Sequence, residues 1–423
     1  MFYRRFKVSG FVLVAIFLIA CQPIVQPLPS EPQPPQGLRP DAPPYAIRGP
    51  FAVGTRDYVV AKEDHTLLLT AWYPARNPEN AREEIRYQLT EGISSVPPVP
   101  PARHIIKGRA LRDAAPDVAQ GPYPLVVHAP GLGGVRQQNP YLVEHLASHG
   151  FVVISWEPRG EVLFGDFWQG AATRPLDMQA TIDYAEQLTA VAGEWAGLID
   201  MEQIAVSGFS SGGWTALVGG GAQVDYGMCF ANPELAAASE LSDCAQFVPH
   251  QQEIAAMLGL ATAPNGLWPA QNDPRVDAIL ALTVDGDIWG ANFEGLAHLD
   301  LPTMIMTGSH DTTITPEANT YPVYEQLGSA SQAQKNLVVF EGGDHAIFFN
   351  SCRDLPWASE IPYFVCADAV WDMDRVHDLI NHLATAFLLA ELKGDPDAAR
   401  ALAPEQVSFP GVRYETTAYA ATP

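Results

Sequence analysis

Gly208-Phe209-Ser210-Ser211-Gly212 fits the pattern G-x-S-x-G in one register, which makes Ser210 a candidate nucleophile. That chemistry needs a serine on a very tight turn between a strand and a helix. The neighbours must be small because backbone passes close by. Residues 203–207 (QIAVS) are a short apolar run and residues 211–218 suit a helix, so both flanks fit. A serine hydroxyl is a weak nucleophile until a base accepts its proton and a carboxylate orients that base.

His345 is the candidate base, because Gly342-Gly343-Asp344-His345 directly follows the apolar run 336–340. Among the other histidines after Ser210, His250 and His298 precede the last predicted strands. His310 neighbours a candidate acid, and His377 falls inside a predicted helix. Asp311 follows the run 301–307 and is the preferred acid. Asp285 and Asp287, after the preceding strand, remain alternatives, although Asp-Gly is also an ordinary turn pair. Asp344, beside the histidine, reads as a local cap. The oxyanion of acyl transfer needs two donors. The backbone N–H of Ser211 is one. Leu132, in the glycine-rich loop HAPGLGG, is the other. That loop lacks the Gly-Lys-Ser/Thr ending and the spacing of a nucleotide site. No metal or organic cofactor is called for. Trp156, Trp289 and Phe293 lie near the expected site and are candidates for a substrate pocket, with core packing as the alternative.

The elements that would position these residues alternate. After an opening hairpin (57–61 and 65–73), strands are predicted at 124–128, 151–156, 203–207, 276–283, 301–307 and 336–340. Helices are predicted at 140–148, 177–191, 211–218, 317–327 and 372–392. This rhythm predicts an α/β domain with a mostly parallel central sheet and helices on both faces. Ligands of such sheets bind beyond the carboxyl ends of the strands, where Ser210, Asp311 and His345 all fall. Long excursions interrupt the pattern at 74–121, 220–274 and 346–371.

The chain has 423 residues and a formal charge of -24, which argues against nucleic-acid partners. Its start combines Arg4, Arg5 and Lys7 with an apolar run ending at Leu18-Ile19-Ala20-Cys21, the pattern of an export signal. Residues 22–44 are rich in proline and glutamine and suit a spacer. The expected organisation is a signal over 1–20, a tether over 21–44 and a catalytic domain over 45–423. Export permits disulfides. Cys229 and Cys244 form one local pair and Cys352 and Cys366 another; neither has the spacing of a zinc site. A monomer is the default state.

Several segments resemble secreted α/β-hydrolases of the group that includes platelet-activating-factor acetylhydrolases, dienelactone-hydrolase-like proteins and bacterial polyester hydrolases. They are Ala71-Trp72-Tyr73-Pro74-Ala75, residues 121–134, residues 144–153, and Arg174-Pro175 with Asp177. The resemblance spans roughly residues 50 to 390. It implies the α/β-hydrolase fold, Ser210 as nucleophile, His345 as base and the amides of Leu132 and Ser211 as oxyanion donors. The start likewise resembles the lipobox of bacterial lipoproteins, which implies lipidation at Cys21 and a domain tethered to the cell envelope. There are departures. Phe209 stands where the group often has histidine. Thr283 matches the position of the acid in mammalian acetylhydrolases, whereas the bacterial polyester hydrolases' acid matches Asp311. Dienelactone hydrolases use a cysteine nucleophile, and position 210 holds serine. The expected activity is serine-dependent hydrolysis of a carboxylic ester, phospholipid-acyl and polyester substrates included. A serine peptidase or amidase, or a silent binding protein on this fold, are the alternatives.

Overall fold

The computed structural model describes residues 37–62, 65–88, 105–159, 161, 167–227, 243–286, 289 and 293–419. An antiparallel pair opens the chain, Ala52–Ala61 (β1) and Thr66–Ala75 (β2), as its alternating pattern predicts. Residues 74–121, read from the sequence as an irregular excursion, instead contain a two-stranded hairpin. Its strands are Ile85–Gln88 (β3) and Ile105–Gly108 (β4). A short strand, Leu111–Arg112 (β5), then pairs with β1.

The central strands follow: Tyr123–Ala129 (β6), Val152–Trp156 (β7), Ile199–Phe209 (β8), Ala278–Leu282 (β9), Thr303–Gly308 (β10) and Lys335–Phe340 (β11). Every residue of β6, β7, β9 and β10 is buried. Unbroken apolar runs of this kind belong to strands covered on both faces. An antiparallel edge strand, Val412–Thr416 (β12), completes a ten-stranded sheet in the order β12-β11-β10-β9-β8-β6-β7-β2-β1-β5. From β7 through β6, β8, β9 and β10 to β11 the pairing is parallel.

Helices cover both faces. Pro140–Ser148 (α1), Gly170–Thr189 (α2) and Ser211–Gly220 (α3) come first. Asp243–Phe247 (α4), Gln251–Met257 (α5), Thr320–Gln326 (α6), Met373–Lys393 (α7) and Pro396–Ala401 (α8) follow. Side chains alternate along β6 between two cores. Leu125 and Val127 join α2 and α3 in one; Val126 joins α1 and α7 in the other. Helix α2 starts at Gly170, not at the predicted 177, because Pro175 is accommodated inside it. The chain closes on α8 and β12 rather than on the predicted helix 372–392. Residues 37–44, read as tether, are tied down: the Leu38 and Arg39 N–H groups each donate to the Asp378 carboxylate of α7 at 2.8 Å.

Cys352 and Cys366 form a disulfide that staples the excursion after β11. Cys229, the side chain of Cys244, and residues 1–36 with Cys21 lie outside the described residues. No helix among the described residues is long and apolar enough to cross a membrane.

Candidate active site

β8 passes into Ser210 and out into α3 with no loop between them. Ser210 carries φ 60° and ψ -125°, a backbone conformation that residues with a side chain seldom adopt. Such strain persists where the surroundings over-determine it. The Ser210 N–H donates to the Leu282 carbonyl at the end of β9 (2.8 Å), and its own carbonyl accepts from Gly213 N–H (2.7 Å). The flanking glycines are steric requirements. A Cβ on Gly208 would run into the Gly212 carbonyl, and one on Gly212 would run into the Ala129 carbonyl at the end of β6. The turn is therefore wedged between β6 and β9.

His345 follows β11 and is nearly buried. Its Nδ1 lies 2.7 Å from Asp311 Oδ2, whose loop follows β10. Asp311 Oδ2 also accepts from the Thr283 hydroxyl (2.6 Å). Oδ1 accepts from the N–H groups of Thr313 (2.9 Å) and Ile314 (2.7 Å). Burial pushes the Asp311 carboxyl up. The bond and charge of His345, with the Ile314 amide and the Thr283 hydroxyl, outweigh it and hold the group below the ordinary carboxylate value. With Nδ1 engaged by a carboxylate, Nε2 is the histidine nitrogen left to exchange protons. Asp344 caps the turn as its position suggests: its carboxylate accepts from His345 N–H and Thr312 N–H, at 2.8 Å each, and so pins the histidine loop to the acid loop. Of the three candidate acids Asp311 is the one bonded to Nδ1; Asp287 lies outside the described residues.

The serine turn and the histidine loop meet through Phe209. Its ring lies 4.9 Å from the His345 ring and 4.9 Å from that of Phe349. The residue that departs from the related proteins thus packs directly on the candidate base.

A buried cation fixes the start of the loop after β6. Arg174 of α2 donates to the Pro130 carbonyl (2.7 Å) and the Gly131 carbonyl (3.0 Å), while the Glu161 carboxylate balances its charge. Gly131 N–H is taken by Gln138 Oε1 at 2.7 Å. Among the described residues, the N–H groups of Leu132 and Ser211 meet no acceptor. Ser211 begins a helix, where the first amides have no intrahelical partner.

Trp156 and Trp289 are sealed in the core at 0 % exposure, and the indole N–H of Trp289 donates to the Gln223 carbonyl. Neither lines an open pocket here: each side chain fills space between sheet and helices. Phe293 is half-buried against the same core. His377, predicted inside a helix, is fully buried and stacks on Tyr141 at 3.8 Å.

Sequence reasoning missed three contributors. Thr283 entered only as the counterpart of another group's acid, with no sign that its hydroxyl bonds Asp311. Arg174 belonged to a motif, but its reach to residues 130 and 131 is non-local. Gln138 left no signal at all.

A sequence model of the family described as "Platelet-activating factor acetylhydrolase, isoform II" matches residues 41–168, and one of the prolyl oligopeptidase family matches residues 137–226. The first spans the loop that carries Leu132; the second spans the serine turn. No curated protein matches the chain. Among solved structures, a ferulic acid esterase from Streptomyces cinnamoneus superimposes with a TM-score of 0.55. That match has 19% identity and covers 86% of this chain and 96% of the esterase. At that identity the likeness speaks to the fold.

Proposed function

We propose, for a chain that is an α/β-hydrolase of the acetylhydrolase and esterase group, serine-dependent hydrolysis of carboxylic esters through an acyl-enzyme. The observation that carries this reading is an Asp311-bonded His345 whose ring packs on Phe209, the residue directly before the positive-φ Ser210.

In the proposed cycle Ser210 Oγ attacks the ester carbonyl and His345 Nε2 takes its proton. The carbonyl oxygen becomes an oxyanion held by the Leu132 and Ser211 amides. The C–O bond to the alcohol breaks as the imidazolium returns its proton to the leaving oxygen. Water then attacks the acyl-serine, giving its proton to the same nitrogen. The acid departs and Ser210 regains its proton. Asp311 stays ionised throughout, orienting the ring and balancing the imidazolium.

The prolyl oligopeptidase match over the serine turn favours amide hydrolysis as a second reading, since the same machinery serves both. Parallel assays on p-nitrophenyl esters of graded acyl length and on peptide p-nitroanilides separate the two. Phospholipid, polyester and hydroxycinnamoyl esters extend the panel. Ser210→Ala should lower ester turnover by at least about 10³-fold with the fold intact. An unchanged rate in clean protein would sink the serine mechanism, and no rate in parent or variant would leave the silent binding protein. The proposal also keeps the domain exported and lipid-anchored through Cys21. Incorporation of labelled palmitate, lost in Cys21→Ser, tests that part.

A further inference from the structure

Thr283 follows β9 and is wholly buried, with φ 47°. A residue branched at Cβ is costly in that left-handed region, where glycine or asparagine would sit more easily. Two bonds hold it there. Its N–H donates to the Met306 carbonyl of β10 (2.6 Å), and its hydroxyl donates to Asp311 Oδ2 (2.6 Å). The preceding carbonyl, that of Leu282, accepts from Ser210 N–H. Residues 282 and 283 therefore tie the serine turn on one side to the acid loop on the other.

We infer that Thr283 is a positioning residue for the proposed triad, its hydroxyl fixing the Asp311 carboxylate so that Oδ2 faces His345 Nδ1. The inference rests on the esterase reading above. An ionised carboxylate only accepts, and each Asp311 oxygen has two donors: the Thr313 and Ile314 amides on Oδ1, and Thr283 and His345 on Oδ2. The torsion about Cβ–Cγ of aspartate is broad. The amides anchor one oxygen. Without the hydroxyl, the other would be held only by the imidazole it is meant to orient. A glycine or asparagine would relieve the backbone at 283 and lose this donor in its present geometry. The sequence thus keeps a strained residue type that delivers a hydroxyl.

The test compares Thr283→Val, which keeps the shape and removes the hydroxyl, with Thr283→Ser, which keeps the hydroxyl. Ser210→Ala and His345→Ala serve as controls on p-nitrophenyl acetate. For Thr283→Val, kcat should fall by about 10- to 100-fold, the size of one hydrogen bond to a charged group, with KM within about twofold. Thr283→Ser should stay within about threefold of the parent. A Val variant with parental kcat, alongside a dead Ser210→Ala, overturns the inference and leaves the esterase reading standing. Equal losses in Val and Ser overturn it too, because packing rather than the hydroxyl would then matter. Full activity in Ser210→Ala and His345→Ala sinks the reading itself. Should Thr283→Val fail to fold, Thr283→Ala against Thr283→Ser, differing by one oxygen, decides on the same criterion.

Discussion

Asp311, in the loop after β10, and Glu144, on α1, are two nearly sealed carboxyl groups, and the protein treats them in opposite ways. Asp311 is 2% exposed and Glu144 3%. Asp311 has four donors, one of them an imidazole, and is held below its ordinary value. Glu144, on α1, has two: the Tyr87 hydroxyl at 2.6 Å and the Arg109 N–H at 2.7 Å. Burial pushes its carboxyl up, and Arg48, Tyr87 and Arg109 only partly oppose this. Burial alone therefore does not decide ionisation; the number and charge of the donors do. An acid surrounded by donors stays an anion and can serve a cationic intermediate. An acid with two neutral donors is a tie, and Glu144 ties the β3–β4 hairpin to α1. The Trp72 indole N–H extends that tie by donating to the Tyr87 hydroxyl at 2.7 Å.

The largest expected consequence is on activity. Asp311→Asn should lower kcat by about 10³- to 10⁴-fold, since the amide neither orients nor balances an imidazolium as a carboxylate does. Glu144→Gln should leave kcat within about threefold. Steady-state rates on one short ester measure both. Comparable losses in the two variants would abolish the distinction between a working acid and a structural one.

The readable half of this contrast lay in local pattern. β6, β8 and β11 each carry a short apolar run (residues 125–127, 204–206 and 337–340) close to a residue of the proposed site or its loop, so Ser210, Leu132 and His345 could be placed from sequence. Asp311 could be preferred to its rivals but not separated from them, because three aspartates follow two adjacent strands. What stayed hidden is non-local. β3 and β4 pair across a long connection, β12 is a short half-exposed edge strand, and Arg174 meets its carbonyls more than 40 residues back in the chain. Thr283 ran against its own propensity: threonine favours extended backbone, and its left-handed turn is held by bonds to the Met306 carbonyl and to Asp311.

Glu144 should show itself in stability instead. Glu144→Gln keeps the volume but carries an amide N–H₂ where one oxygen now accepts, so either Tyr87 or Arg109 loses its acceptor. A buried unsatisfied donor costs about 1 to 3 kcal/mol, read as a lower urea midpoint with an unchanged slope. Tyr87→Phe should cost a similar amount, because it strands the Trp72 N–H and removes one donor from Glu144. If the pair Glu144→Gln and Tyr87→Phe are additive, the network is not a unit; sub-additive losses are expected of groups in contact.

The smallest effect is also the one that tests the direction of each shift. Glu144 is raised in the folded protein, so its contribution is fully present below the ordinary carboxyl value of about 4.3 and is lost as pH rises through the folded value. Asp311 is lowered, so its contribution is present above the ordinary value of about 3.9 and is lost as pH falls through the folded one. Urea midpoints taken from below the ordinary aspartate value of about 3.9 up to neutral pH should therefore diverge in sign. The gap between parent and Glu144→Gln narrows as pH rises, while the gap between parent and Asp311→Asn widens. Parallel slopes for the two variants would mean that the two carboxyls are not shifted in opposite directions, and the comparison of site with scaffold would lose its electrostatic basis.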